Sequence, residues 1–404
     1  MSMNPKSKST KITILTPVHV GTGRTIEPVC YICKNGIASC YAMEDLLESL
    51  PTDKLLDPAN LSRLARGTDS KRDFYSVFKS NKLPSAKPLY RLNWYEPETL
   101  QSYLMKAKGG RKAGSLEVSE QIKALNTPII PGSTLKGAIE CAFKYNLLKT
   151  HYDKVHSHLE EYCQNARGST PELFCLQLIY GLSAAQARKQ YGDFVKDLYG
   201  CLQVRDIPFH AMELLAVMRY PYDSRKKEYS CGLAEHIGSG DSTSIEFPFE
   251  INAFKVQQLE RKYPMDSIQT ELVNHFCSKE KLLEAIRTYY ADMVNEDDLP
   301  DDLNLSGLDQ VETAIRKQKN QKSFVMRVGQ NTTYFFKTVS RLIQQRDREL
   351  FENRTYFENV FSPTKLRGKN APNPQDFPRT FSFAQTPDDL WPTGFIEIEY
   401  ADEN

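Results

Sequence analysis

Three loops in this sequence combine glycine with residue types that hold phosphate groups. They read HVGTG (His19 to Gly23), PGSTLKG (Pro131 to Gly137) and RVGQNTTYFFKT (Arg327 to Thr338). Glycine leaves backbone N–H groups open to close approach, and lysine or arginine adds positive charge. Each loop alone is typical of an ordinary tight turn. Together they predict a surface on which an extended phosphate backbone lies across amides and basic side chains.

Residue spacing argues against a nucleotide site in these loops and against a zinc site elsewhere in the sequence. HVGTG opens no predicted helix, as a dinucleotide fingerprint would, and PGSTLKG lacks the spacing of a P-loop. The only cysteine cluster is Cys30, Cys33 and Cys40, and no second cysteine or histidine pair stands at zinc-finger spacing. We therefore expect no metal and no cofactor. A phosphate-binding enzyme stays open as an alternative, although the sequence offers it no pair of titratable groups.

The second loop begins a helix. Apolar residues recur at helical spacing from Leu135 to Leu147, and Ser133 is a favourable N-cap type. A helix start with free N–H groups and a nearby lysine attracts phosphate. Gly137 lowers helix propensity, so we expect a neighbour to approach its backbone too closely for a Cβ.

The strongest elements predict an α+β fold. With the insertions removed, their order is strand, helix, strand, strand, helix, strand, which is the ferredoxin-like βαββαβ order of the RNA recognition motif (RRM). The predicted bounds are Lys11 to Val20, Thr134 to Lys149, Gly200 to Asp206, Ser242 to Asn252, Ser278 to Met293 and Gly394 to Tyr400.

Two regions are predicted from this order. Residues 1–255 form an RRM-like region with insertions at about 43–125 and 152–199 and a segment between core strands at 206–241. Residues 256–404 form an α/β region with the late glycine loop, which completes the core or forms a second RRM-like lobe.

Composition indicates a globular chain with an anionic partner. The 404 residues carry a net charge of +1, but Leu61 to Arg91 and Lys106 to Lys112 are strongly basic and Asn295 to Asp302 is acidic. The uneven charge favours an anionic partner over a small neutral ligand. The sequence has no secretory segment or apolar span, and its odd number of irregularly spaced cysteines fits a reducing compartment, so we expect a cytoplasmic protein.

Five segments carry a family resemblance. ITILTPVHVGTG, IIPGSTLKGAIECAF, LQVRD, FVMRVGQ and PRTFSFAQ…PTGFIEIE follow the order seen in the repeat-associated mysterious protein (RAMP) superfamily of CRISPR effectors. The sequence resembles most the fifth subunits of type III-A (Csm) complexes. This implies an RRM-like fold with a thumb-like hairpin, CRISPR RNA as ligand, and other Csm subunits as partners, especially a backbone RAMP subunit. It also implies a place at the head of the complex, where the chain holds the 3′ part of the RNA and supports its maturation. No membrane or small-molecule substrate is expected.

The resemblance also implies RNA-binding positions in this sequence. They come from the three loops and the end of one strand: His19, Gly21, Gly23, Gly132, Ser133, Lys136, Gly137, Arg205, Arg327, Gly329 and Lys337. The resemblance makes residues 1–255 the RNA-binding region and places the thumb-like hairpin at residues 206–241. Its aromatic and basic character comes from Tyr220, Tyr222, Arg225, Lys226 and Lys227.

Departures from the family pattern argue against catalysis. Backbone subunits cut target RNA with an aspartate after the first strand, where this chain has only Glu27 before Glu44. Some relatives cut CRISPR repeats with a histidine as general base, and His19 can be placed in that role without a second acid or base beside it. We therefore expect a non-catalytic subunit. A metal-independent endoribonuclease that processes the guide is the alternative.

Overall fold

The computed structural model describes twelve stretches of the chain. They are residues 9–27, 30–48, 87–94, 118–165, 173–221, 230–294, 305–318, 323–330, 338–361, 374, 380–386 and 389–400. Lys337, the thumb residues from Tyr222 to Lys227, the basic run Lys106 to Lys112, the acidic run Asn295 to Asp302 and most of the basic run Leu61 to Arg91 lie outside these stretches.

The described residues contain strands and helices throughout, which confirms the α+β class. The strands are β1 (Thr10–Ile14), β2 (Gly21–Ile26), β3 (Tyr31–Lys34), β4 (Ile37–Cys40), β5 (Tyr90–Trp94), β6 (Val118–Gln121), β7 (Lys123–Ala124), β8 (Thr127–Ile130), β9 (Leu202–Val204), β10 (Ile207–Pro208), β11 (Met212–Pro221), β12 (Ser230–Ile237), β13 (Ser242–Ile245), β14 (Phe249–Ile251), β15 (Ser323–Arg327), β16 (Thr380–Gln385), β17 (Leu390–Pro392) and β18 (Phe395–Glu399).

The described stretches contain twelve α-helices. They are α1 (Met43–Glu48), α2 (Gly132–Thr150), α3 (Tyr152–Asn165), α4 (Phe174–Tyr180), α5 (Ala184–Gly200), α6 (Ala253–Lys262), α7 (Ser267–Phe276), α8 (Lys279–Met293), α9 (Leu308–Lys317), α10 (Ser340–Arg346), α11 (Arg348–Glu352) and α12 (Arg354–Tyr356), with a π-helical turn at Phe357–Phe361. No helix within the described stretches is long and apolar enough to cross a membrane.

The central sheet has four antiparallel strands in the order β13-β1-β18-β15. β1 lies between β13 and β18, with Ile12 opposite Thr243 on one side and Ile398 on the other. The strand predicted from Ser242 to Asn252 is wrong as one continuous element. It divides into β13 and β14 around Pro248, which has no N–H for a sheet ladder. β14 pairs instead with β9.

The hairpin β11–β12 stands in the middle of a second sheet. Eight paired positions join its strands, from Met212 opposite Ile237 to Arg219 opposite Ser230. The sheet order is β2-β6-β12-β11-β5-β4-β3, and β16 also pairs with β11. The core of this sheet is a separate apolar cluster that includes Leu92, Met212, Leu214 and Leu233.

Helices α2 to α8, α10 and α11 share one large apolar core with the central sheet, and α9 packs in a smaller separate cluster. Phe143 of α2 packs edge-on against Phe276 of α7, with ring centroids 4.9 Å apart. Tyr145 of α2 lies 5.0 Å from Tyr289 of α8 by the same measure. This packing fixes α2, and with it the second glycine loop, against the rest of the molecule.

Candidate nucleic-acid interface

The start of helix α2 is capped by a carboxylate from another segment. Pro131 occupies the N-cap position and has no side-chain acceptor, so the prediction that Ser133 caps the helix is wrong. The N–H of Gly132 donates to Asp206 Oδ1 over 2.7 Å. A carboxylate at a helix N-terminus interacts favourably with the helix dipole. Asp206 therefore holds the position that we predicted for an external phosphate.

Close packing explains one of the two glycines here. A Cβ on Gly132 would lie 2.7 Å from the carbonyl oxygen of Val204, closer than a real Cβ can approach. A Cβ on Gly137 would meet nothing within 4 Å. The close neighbour expected at Gly137 is absent from the described chain, and the tight contact belongs to Gly132. Gly137 is exposed, so its backbone stays accessible from solvent.

Four exposed or half-exposed residues surround this helix start, and we call them the helix-start patch: Ser133, Lys136, Gly137 and Arg205. The Lys136 ammonium donates to the carbonyl oxygen of Leu202 over 3.3 Å. The Arg205 guanidinium lies 4.5 Å above the Phe247 ring and 4.0 Å from Glu246 Oε2. Both members of that ion pair are more than half exposed, which leaves the guanidinium able to contact a phosphate.

The first and third glycine loops are joined backbone to backbone. The N–H of Gln330 donates to the carbonyl oxygen of His19 over 2.7 Å. Gly329 has φ +90°, and a Cβ there would lie 2.4 Å from that same oxygen. A Cβ on Gly21 would lie 2.6 Å from Gln330 Nε2. Gly329 is therefore required by the contact between the loops, whereas at Gly21 the end of the flexible Gln330 side chain could move aside.

Gln121 joins the first loop to the second. Its side chain is fully buried, and its Oε1 accepts from the N–H of Val20 over 2.7 Å. Its Nε2 donates to the carbonyl oxygen of Ile129, in the strand that leads into PGSTLKG, over 3.0 Å. The three loops, far apart in sequence, thus converge. We call this convergence the loop junction, formed by residues 19–21, 121–123, 128–132 and 327–330.

A buried carboxylate supports the loop junction from the hairpin. Glu235 on β12 has no exposed surface and accepts three hydrogen bonds. The donors are the N–H of Gln121 at 2.9 Å, the hydroxyl of Tyr31 at 2.9 Å and the ammonium of Lys123 at 2.6 Å. Sequence reasoning missed this group. The signal was a glutamate within the apolar run of the hairpin strand.

His19 is an interior side chain. Its ring is buried, and Nδ1 lies 2.6 Å from the carbonyl oxygen of Glu235. Burial lowers the pKa of His19. The neighbouring His236 is also buried, and this lowers its pKa to about 3. The two ring centroids are 5.4 Å apart. In this conformation the loop offers a ligand its backbone and not the imidazole.

Arg327 is also directed inward. Its Nε donates to the carbonyl oxygen of Thr393 over 2.8 Å, and its guanidinium lies 4.8 Å above the Phe395 ring. Burial lowers the pKa of this guanidinium. Gly23 differs from both residues, because it has φ +81° and open space around it on the exposed strand β2. The structure thus exposes some of the predicted positions and buries others.

The described residues contain no group of three or more histidine, cysteine, aspartate or glutamate side chains that could hold a metal ion. A family model for the RAMP superfamily matches residues 11–369. The chain belongs to the RAMP superfamily. The match includes all three glycine loops, which confirms the family predicted from their motifs.

Two solved structures resemble this RAMP protein over nearly its whole length. One is a chain from a cryo-EM structure of a Csm–crRNA–target RNA ternary complex of a type III-A CRISPR-Cas system. It is 18% identical with a TM-score of 0.63, and the alignment covers 97% of this chain and 100% of that chain. The other is the crystal structure of Csm5 from T. onnurineus, 15% identical with a TM-score of 0.54, covering 96% and 99%. These likenesses show a shared fold. No curated protein matches the sequence.

Proposed function

We propose that this chain is a non-catalytic RNA-binding subunit of a type III-A CRISPR effector complex. It holds the 3′ part of the CRISPR RNA at the head of the complex and supports maturation of that RNA. The observation that carries this proposal is the loop junction beside an exposed helix-start patch, both built from the RAMP motifs. Two similar folds support the choice of complex, since one comes from a Csm–crRNA assembly and the other is a Csm5.

The proposal includes a ferredoxin-like core of the RRM kind. β13 and β14 are treated as two halves of one strand, interrupted at Pro248. The antiparallel neighbours then run β9, β14/β13, β1 and β18, with β15 added at the edge beside β18. In chain order this is second, third, first, fourth, which is the strand order of the βαββαβ fold. Such a core suits a protein that positions nucleic acid.

The proposed partners follow from the same assignment. They are CRISPR RNA and other Csm subunits, with a backbone RAMP subunit as the immediate neighbour. Arg205 and the exposed backbone at Gly23 and Ser133 would contact phosphates, and the lack of a side chain at Gly137 would let the strand approach helix α2. His19 and Arg327 would act indirectly, by fixing the loops on which those amides lie.

The endoribonuclease alternative is less well supported. A general base has to come within hydrogen-bond distance of the 2′-hydroxyl that it deprotonates. His19 is buried, with Nδ1 engaged by the carbonyl of Glu235. The proposed subunit therefore binds RNA without cutting it.

The proposal is tested by titrating labelled single-stranded repeat RNA with the purified chain and with Arg205→Ala. We expect micromolar binding by the native chain and severalfold weaker binding by the variant. The slope of log K against log salt concentration should decrease in magnitude by about 0.7, the value for one lost phosphate contact on a single strand. RNA recovered from the same mixtures, kept in chelator, should be intact.

Arg316→Ala is the matched control for this titration. Arg316, like Arg205, is an exposed arginine beside a glutamate, with Glu312 at 2.5 Å on α9 where Arg205 has Glu246 at 4.0 Å. Its loss should leave affinity and salt slope unchanged. Equal effects of both variants would remove Arg205 from the interface, and cleaved RNA would favour the endoribonuclease.

A further inference from the structure

The tip of the hairpin β7–β8 holds a leucine in an unfavourable position. Leu125 and Asn126 form its two-residue turn, with φ +51° and +66°. Asn tolerates this left-handed conformation, but leucine rarely adopts it. The Leu125 side chain is also fully exposed, so it gains no burial within the described structure. Strain and exposure at one apolar residue indicate a function outside the fold of the chain.

The hairpin presents Leu125 from a fixed frame. Ile130 of β8 pairs with Ile207 of β10, and Gln121 Nε2 holds the carbonyl oxygen of Ile129. At the tip, Asn126 Nδ2 donates to the carbonyl oxygen of Leu89 over 3.4 Å. Leu89 is itself 45% exposed. Two large apolar side chains are thus exposed on segments that the Asn126 side chain joins.

The charge of the hairpin favours a protein as the partner over RNA. Its basic residue, Lys123, is only 7% exposed, with its ammonium 2.6 Å from Glu235 and 3.6 Å from Glu120. The same ammonium lies 4.6 Å from the centre of the Tyr90 ring. The hairpin therefore directs no free cation toward a phosphate, whereas an apolar pocket on a protein would accept its tip.

We propose that Leu125 and Leu89 form an apolar anchor that inserts into a pocket on the neighbouring protein subunit. This inference rests on the proposed function, because it takes the neighbour to be a subunit of the same complex. It adds a docking residue to that function and separates the protein contact from the RNA contact at the helix-start patch.

The test measures binding of the fluorescently labelled chain to the native complex purified from a host strain that lacks this chain. Leu125→Asn should bind at least about tenfold more weakly, as expected for a leucine withdrawn from an apolar pocket. The factor should be the same at low and high salt, since no ion pair is lost. Leu125→Met, which keeps an apolar side chain at the tip, should bind within about threefold of the native chain.

Two measurements on the isolated chain complete the test. The melting temperature of Leu125→Asn should be unchanged or higher, because Asn suits the turn. Its affinity for single-stranded RNA should be unchanged. Native-like complex binding by Leu125→Asn would overturn the anchor. A melting temperature several degrees lower would also overturn it, because Leu125 would then pack within its own chain. Weaker RNA binding would reassign the tip to nucleic acid. If the native chain itself does not bind the complex, the proposed function fails and the anchor's partner fails with it.

Discussion

At the scale of single residues, the loop junction depends on groups that water does not reach. Glu235 is buried and accepts hydrogen bonds from three donors. Two of these donors, Gln121 and Lys123, belong to the segment before the second glycine loop. A buried charge persists only where such partners replace its hydration. Removing one partner of a buried ion pair is correspondingly costly, because the other charge stays behind.

Glu235→Gln should loosen the loop junction. The amide leaves the Lys123 ammonium without its nearest counter-charge, which should lower the free energy of unfolding by roughly 3 kcal/mol. Amide hydrogen exchange should accelerate at Val20 and Gln121 while helix α8 keeps its protection.

Glu397→Gln is the matched control, since Glu397 is a buried glutamate in the central sheet whose pKa burial raises. It should leave exchange at the loops unchanged. The supporting role of Glu235 is wrong if both variants behave alike.

The residue types of the motifs indicated which loops come together, but they did not indicate where the side chains point. The motifs marked His19 and Arg327 correctly as members of converging loops. They did not show that both side chains point inward, because their partners are distant in sequence. The carbonyl that His19 contacts belongs to residue 235, and the one that Arg327 contacts belongs to residue 393. Such contacts exist only once the fold is formed.

At the scale of elements, the two glycines of PGSTLKG have opposite roles in helix α2. Gly132→Ala should lower the free energy of unfolding by roughly 2 kcal/mol, because the new Cβ would overlap the carbonyl oxygen of Val204. Gly137→Ala should raise it by about 0.5–1 kcal/mol, because alanine is the better helix former and space is open. Denaturant unfolding measures both changes.

The Gly137 variant also tests where RNA binds. If RNA lies against the backbone at Gly137, Gly137→Ala should weaken RNA binding even though it stabilises the chain. A stabilised variant with native affinity would remove Gly137 from the interface. A destabilised one would show that a neighbour outside the described residues packs there.

The sequence predicted well those helices whose bounds are set by residues close together in the chain. The predicted bounds of α2 and α8 agree with the structure within two residues at each end, because apolar spacing and flanking residues define both helices. The break in the strand at Pro248 was not predicted, since alternation continues through it in the sequence. Asp206 as the cap of α2 could not be predicted either, because it lies 74 residues from Gly132.

At the scale of the whole molecule, the net charge alone does not indicate an RNA-binding protein. The chain carries a net charge of only +1, whereas a lone RNA-binding domain is usually strongly basic. Within the described residues, the exposed amides and the Arg205 guanidinium would provide few phosphate contacts. A protein with so few contacts holds RNA tightly only when neighbouring subunits share the same strand, since linked contacts act at high effective concentration. The apolar anchor at Leu125 would supply that linkage.

The most direct measurement is ultraviolet crosslinking of the native complex, with sequencing of the RNA attached to this chain and mass spectrometry of the attached peptides. We expect the RNA to be the 3′ part of CRISPR RNA. The crosslinked peptides should contain residues 19–24, 131–137 or 205, where the exposed loop positions lie. The absence of CRISPR RNA, or crosslinks confined to peptides outside the loop junction and the helix-start patch, would contradict the account.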